Sequence, residues 1–135
     1  MRIVLDTNTL ISAIGWKDSK PREIFDGCLT ERYELMESID LLKEFLKVIQ
    51  RSKFDFISEE DKKEFLISLM NICIITEPGD KIGVIKEDVD DNIVLECAFA
   101  GKADFIISGD EHLLKLKEYE GIKIVSSSEF LDLKG

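Results

Sequence analysis

The chain has 135 residues, with 28 acidic and 18 basic side chains, a net charge of −10 and a single histidine. That length corresponds to one domain, residues 1–135, which should bury roughly two thirds of its unfolded surface and needs no staples. The charge excludes a nucleic-acid binder that works by net charge alone. With His112 as the only histidine, the chemistry narrows to carboxylates, hydroxyls and hard metals, and Cys28, Cys73 and Cys97 in apolar stretches read as reduced core thiols.

Arg2-Ile3-Val4-Leu5 is an apolar, β-branched run that reads as a strand buried on both faces, and it ends on Asp6. Thr7, Asn8 and Thr9 suit a helix start, and Leu10, Ile11 and Ile14 follow at helical spacing. Lys17 to Pro21 is a polar break, and Arg22 to Leu29 a second short helix. Tyr33 to Glu37 is the next strand. Ser38 caps a helix from about Ile39 to Arg51, and Ser58, with Asp61 three residues on, opens another through about Met70. Ile72 to Ile75 reads as a third buried strand, closed by a turn at Glu77-Pro78-Gly79-Asp80; Ile82 to Asp90 reads as irregular, with Asp88 and Asp90 as turn acids. A helix from Asp91 to Ala100 ends at Gly101, and Phe105 to Ser108 is a fourth strand. Glu111 to Lys117 forms a short helix, Ile122 to Val125 a fifth strand, and Ser127 caps a last helix through Leu133. Alternating strands and helices predict an α/β fold with a mostly parallel sheet covered on both faces. Asp6 interrupts the first apolar run, which excludes a signal peptide, and no run approaches membrane-spanning length; a soluble, cytoplasmic protein without a membrane partner is expected.

In such a sheet the strand C-termini and helix N-termini share one edge, where ligands bind. Asp6 ends the first strand, Asp110 follows the fourth by two residues, and Asp91 opens the helix before it. Glu44 lies six residues past the Ser38 cap, about 9 Å down the helix, a distance its side chain partly recovers by pointing back. It sits at the margin of an apolar face of Leu41, Leu42, Phe45, Val48 and Ile49, beside a stripe of Lys43, Lys47 and Arg51. Asp91 shares an inward face with Val94, Leu95 and Ala98. Two readings stand at this point. Each aspartate on its own suits a helix cap, Glu44 suits a solvated helix position, and His112 suits a surface or capping position. Jointly, four acids at one edge repel each other, and a hard divalent cation that takes oxygen ligands compensates them. Basic residues are also local: Lys17, Lys20 and Arg22 form one group and Lys43 to Lys53 another, whereas acids gather at Glu59 to Asp61 and Glu87 to Asp91.

Val4-Leu5-Asp6-Thr7-Asn8, the acid in Leu41-Leu42-Lys43-Glu44-Phe45, Asp90-Asp91-Asn92 with Leu95-Glu96-Cys97-Ala98, and Ala103-Asp104-Phe105-Ile106-Ile107-Ser108-Gly109-Asp110 resemble the four acidic motifs of PIN-domain ribonucleases. The chain looks most similar to the VapC-like toxin components of prokaryotic toxin–antitoxin systems. The resemblance implies a three-layer α/β/α domain with a sheet of about five strands, a homodimer, an antitoxin partner, and endoribonuclease activity on RNA dependent on Mg²⁺ or Mn²⁺. By motif it implies Asp6, Glu44, Asp91 and Asp110 as catalytic and metal-binding acids, with Asn8 and Ser108 as supporting polar groups. Asp91 is preferred to Asp90 because it lies seven residues before Ala98 and faces inward. Asp104 precedes its strand and belongs at the opposite edge. Lys43, Lys47 and Arg51 then become contacts for the RNA backbone.

Three rivals are distinguishable in the sequence. An aspartate-nucleophile phosphatase wants a second Asp where Asn8 stands, and a phosphoacceptor receiver domain wants an Asp where the third strand offers Thr76. The remaining alternative is a non-catalytic PIN-like module that binds RNA or protein.

Overall fold

The computed structural model describes residues 1–79 and 89–134, without the side chains of residues 89, 90 and 134. The strands β1 (Arg2–Leu5), β2 (Glu34–Ser38), β3 (Ile74–Thr76), β4 (Phe105–Ile107), β5 (Glu118–Tyr119) and β6 (Ile122–Val125) form one sheet in the order β3-β2-β1-β4-β6-β5. All pairings are parallel except that of β5 with β6. The described helices are α1 (Thr7–Gly15), α2 (Lys20–Leu29), α3 (Ile39–Ile49), α4 (Glu59–Ile72), α5 (Val89–Ala100), α6 (Glu111–Leu116) and α7 (Ser127–Lys134), with a 3-10 turn at Ser52–Phe54.

Alternation along the strands splits the core into two layers. Ile3, Leu5, Leu35, Phe105 and Val125 face α1, α2, α4 and α7, and Val4, Met36, Ile106 and Ile124 face α5 and α6. α3 straddles the two, with Leu41 in one layer and Leu42 and Phe45 in the other. The result is α/β/α. β1 is central, and its Ile3, Val4 and Leu5 are wholly buried, as an uninterrupted apolar run in a covered parallel sheet requires.

Several expectations change. The sheet has six strands, the extra one being β5, whose hairpin with β6 turns through Glu120 at φ 49° and Gly121 at φ 81°. Two left-handed residues suit a tight hairpin turn, and a two-residue strand is too short to show a pattern in sequence. The third strand is an edge strand with Ile74 and Ile75 about two fifths exposed, so its apolar run does not mark burial on both faces. α2 starts at Lys20, capped by Ser19, because Pro21 fits a first helical turn, whose N–H groups have no intrahelical acceptor. α3 ends at Ile49, and Arg51 leads into the 3-10 turn. α5 starts at Val89, so Asp90 is helical; Asp80, Asp88 and the rest of 82–88 lie outside the described residues. The cap of α7 is Ser126, whose Oγ accepts from Glu129 N–H while Glu129 accepts from Ser126 N–H, a capping box placed one residue before Ser127. Asp104 does lie at the opposite edge, where it accepts a hydrogen bond from Arg2 N–H.

One buried acid has no counterpart in the sequence reading. Glu37, on β2, is wholly buried, and neither carboxyl oxygen has a hydrogen-bond partner among the described residues. Burial holds its pKa well above the ordinary 4.5. Its field adds to the burial that pushes the Cys28 and Cys97 thiols up to about 12. A carboxyl with a raised folded-state pKa imposes no ionisation penalty below 4.5; the penalty grows as pH rises through the window up to the folded value. Glu37→Met, which fills the space without polar atoms, should raise the melting temperature by several degrees at neutral pH. The gain should narrow in acid. A variant that melts below wild type at every pH would show that the carboxyl is held by a favourable partner.

Candidate active site

The register of β1 with β4, Leu5 opposite Ile107, sets Asp6 beside Ser108. Asp6 caps α1: its Oδ1 accepts from Thr9 N–H at 2.9 Å. Its Oδ2 accepts a short hydrogen bond from Ser108 Oγ. Ser108 Oγ in turn accepts from Asp110 N–H at 2.9 Å. Asp110 caps α6, its Oδ1 accepting from His112 N–H at 2.8 Å and Leu113 N–H at 3.2 Å. Capping therefore describes Asp6 and Asp110 correctly, yet it uses one oxygen of each. The other oxygen of Asp6 accepts from Ser108, and the other oxygen of Asp110 is not used by its cap.

Asp6, Glu44, Asp91 and Asp110 line one cleft of about 140 Å³ together with Thr7, Asn8 and Arg51. Asp91 is buried in the first turn of α5, inside the helix and not at its cap, with a carboxyl oxygen within 4.8 Å of one of Asp110. Two carboxyl groups this close repel each other when ionised, and a cation between them would relieve that repulsion. Glu44, half-buried midway along α3, reaches the cleft as its backward-pointing side chain allows. Lys43, Lys47 and Arg51 are exposed and, with Asp40, line an adjoining groove of about 210 Å³ that shares Glu44, Val48 and Arg51 with the cleft.

The electrostatics differ between the two capping acids. Asp6 is buried, and desolvation raises its pKa above 3.8 against the hydrogen bonds from Ser108 and Thr9; the Asp110 charge adds to the rise. At Asp110 partial burial pushes upward, but hydrogen bonds with Asp91, Leu113 and His112 and the His112 charge outweigh it, leaving the pKa lowered.

The donor set fits a hard cation. It is four carboxylates plus Thr7 Oγ1, a buried hydroxyl without a hydrogen-bond partner among the described residues. Ligating atoms of Asp91, Asp110 and His112 lie within 4.8 Å of one another. His112, 3.9 Å from Asp110 through Nδ1, is a further candidate ligand, which sequence reasoning gave only a surface or capping position. Its place two residues after an edge aspartate, in the first turn of α6, was the available signal.

A family model described as a PIN domain matches residues 2–112, the span that contains all four acids. The chain belongs to the PIN domain family. PIN domains are generally nucleases. This PIN domain is 28% identical over 120 residues to the uncharacterized protein MJ1680 of Methanocaldococcus jannaschii, covering 87% of this chain and 76% of that protein. It is also similar to a chain in the crystal structure of VapBC2 from Rickettsia felis bound to a DNA fragment from their promoter. That match has a TM-score of 0.62 and 15% identity, covers 92% of this chain and 97% of that one, and bears on the fold. Among the described residues, no helix of this PIN domain is long and apolar enough to cross a membrane.

The raised pKa of Asp6 carries a stability prediction. In EDTA the ionised carboxylate is disfavoured by folding, so the penalty is absent below 3.8, grows as pH rises toward the folded value, and is complete above it. Asp6→Asn keeps an acceptor for Thr9 N–H and reverses the bond to Ser108. It should melt a few degrees above wild type in EDTA at neutral pH and lose that advantage in acid. Saturating Mn²⁺ should narrow or reverse the difference, because wild type gains the binding linkage in full. An Asn variant that melts well below wild type in EDTA would make Asp6 a cap and acceptor only.

Proposed function

We propose that residues 1–135 form a single nuclease domain that hydrolyses RNA phosphodiester bonds, a Mg²⁺- or Mn²⁺-dependent endoribonuclease acting as the toxin of a toxin–antitoxin pair. The observation that carries this reading is the convergence of Asp6, Glu44, Asp91 and Asp110, from four separate stretches of chain, on one small cleft. Asp6, Asp91 and Asp110 would hold the cation, with Glu44 closing the cleft from α3. When bound, the cation supplies Lewis acidity at phosphorus and a nucleophile from water at neutral pH. The protein's own groups do the rest. Thr9 N–H and Ser108 Oγ fix the Asp6 carboxylate, and the α6 amides fix Asp110, so neither acid has to reorganise when charge develops. Arg51, at the junction of cleft and groove, is placed to hold the reacting phosphate, and Lys43 and Lys47 the phosphates beyond it. Asn8, exposed at the cleft mouth, would orient substrate, and Ser108 would act through Asp6. A homodimer, an antitoxin partner and a cytoplasmic location complete the proposal; of these, the likeness in fold to a chain of the VapBC2 structure supports the antitoxin partner.

Purified protein should cut single-stranded RNA in Mg²⁺ or Mn²⁺ and stop in EDTA. Asp6→Asn and Asp91→Asn should each lose more than about 100-fold in kcat/KM, beyond the loss typical of residues that only support a ligand, with circular dichroism unchanged. Full activity in both variants would overturn the site. RNA binding without cleavage in any metal would favour the non-catalytic module.

The cationic groove has its own test. Lys43→Glu with Lys47→Glu should weaken RNA binding and reduce the slope of log affinity against log salt by about 0.7 for each phosphate no longer neutralised. An unchanged slope would place the RNA elsewhere.

A further inference from the structure

A second cavity, of about 440 Å³, opens beside the acid cleft and shares Asn8 with it as a wall. Its lining brings together α1 (Asn8, Ser12), the start of α2 (Lys20) and the turn into α7 (Ser126, Ser127, Ser128). Ser108 and Gly109 form the rim nearest Asp6. Lys20 Nζ donates to Ser128 Oγ at 3.0 Å, tying residues 108 apart in sequence across the cavity. Of the three serines, the α7 cap occupies Ser126; Ser127 and Ser128 are not needed for it. In a chain of net charge −10, no carboxylate is among the described residues lining this cavity.

Size and chemistry decide what could enter. The acid cleft is about 140 Å³, well under the roughly 300 Å³ at which small-molecule sites begin, whereas 440 Å³ is within their range. A nucleoside next to the reacting phosphate therefore has to extend beyond the cleft, and among the described residues two cavities adjoin it. The flank beyond Arg51 is the groove lined by Lys43 and Lys47, which suits phosphates. The flank beyond Asn8 offers hydroxyls, each donor and acceptor at once, which suit ribose hydroxyls and base edges. We infer that the cavity of Ser12, Lys20, Ser127 and Ser128 receives the nucleoside adjoining the phosphate held in the acid cleft. The inference rests on the nuclease reading for its substrate and adds a place where base identity is read. Among the described residues Lys20 is the cation of this cavity, positioned by Ser128 to meet a phosphate or a base acceptor.

The test uses the full chain in EDTA and titrates in each of the four ribonucleoside 5′-monophosphates, following backbone amide resonances of Gly109, Ser127 and Ser128. At least one nucleotide should give saturable shifts at these amides. Lys20→Ala with Ser128→Ala, both exposed positions, should weaken that binding about tenfold, the scale of removing one or two hydrogen bonds. Lys43→Glu with Lys47→Glu should leave these shifts in place. No saturable shift with any nucleotide, or equal affinity in the Lys20 and Ser128 variant, overturns the inference. Cleavage of an RNA pool in Mn²⁺ by wild type separates the two readings. Binding without cleavage removes the nuclease and keeps the nucleoside site; cleavage without binding here keeps the nuclease and removes the site.

Discussion

The buried hydrogen bond from Ser108 Oγ to Asp6 joins the ends of the two central strands, and the geometry of the whole edge follows from it. β1 and β4 pair in parallel, so the residues just past Leu5 and Ile107 are neighbours. One supplies a carboxylate and the other a hydroxyl that also accepts from Asp110 N–H. Through that single oxygen the start of α1 and the start of α6 are held in fixed relation. Their two capping acids point to the same space. A Ser at this position donates once and accepts once, which an apolar residue of similar size cannot do, and the buried Asp6 would then lose a partner that its ionised form needs.

Charge in this protein is organised locally, and its net value says little. The acid cleft is bordered on one side by Lys43, Lys47 and Arg51 and on the other by hydroxyls and Lys20. A polyanion can approach such a surface despite the overall repulsion, because screening confines the effect of distant charges to roughly 8 Å at physiological salt. Glu37 makes a useful contrast with the cleft acids. It is equally internal but has no hydrogen-bond partner among the described residues, and burial alone sets its pKa, whereas at Asp6 hydrogen bonds from Ser108 and Thr9 oppose the burial. Buried acids that are held by donors at a solvent-reaching cleft are disposed to bind a cation. Glu37 is not of that kind.

The layers, the strand alternation and the shared edge were legible in the sequence because they depend on apolar periodicity, which β1, α3 and β4 show strongly. The four acids were legible for the same reason: once the strands are placed, topology gives the height of each residue, and helical phase turns Glu44 and Asp91 inward. What was hidden depends on tertiary context. Ile74 and Ile75 have the composition of a buried strand but lie at the sheet edge. Glu37 sits in a strand pattern where an acid normally marks the solvent face, and only its packing reveals that it is internal. His112 comes within 4.8 Å of ligating atoms of Asp91 and Asp110 from the first turn of α6, which its spacing after Asp110 allows but its side-chain direction decides. The serine cavity gathers residues from four separate stretches, and its Ser12, Lys20, Ser127 and Ser128 lie outside the acidic motifs.

The assignment of the cleft to a divalent cation is tested most directly by a crystal of the protein grown or soaked with Mn²⁺ and measured for anomalous scattering. A strong peak should appear within bonding distance of Asp91 and Asp110 carboxylate oxygens, with Asp6 and Glu44 facing it. An empty cleft at saturating Mn²⁺ would contradict it.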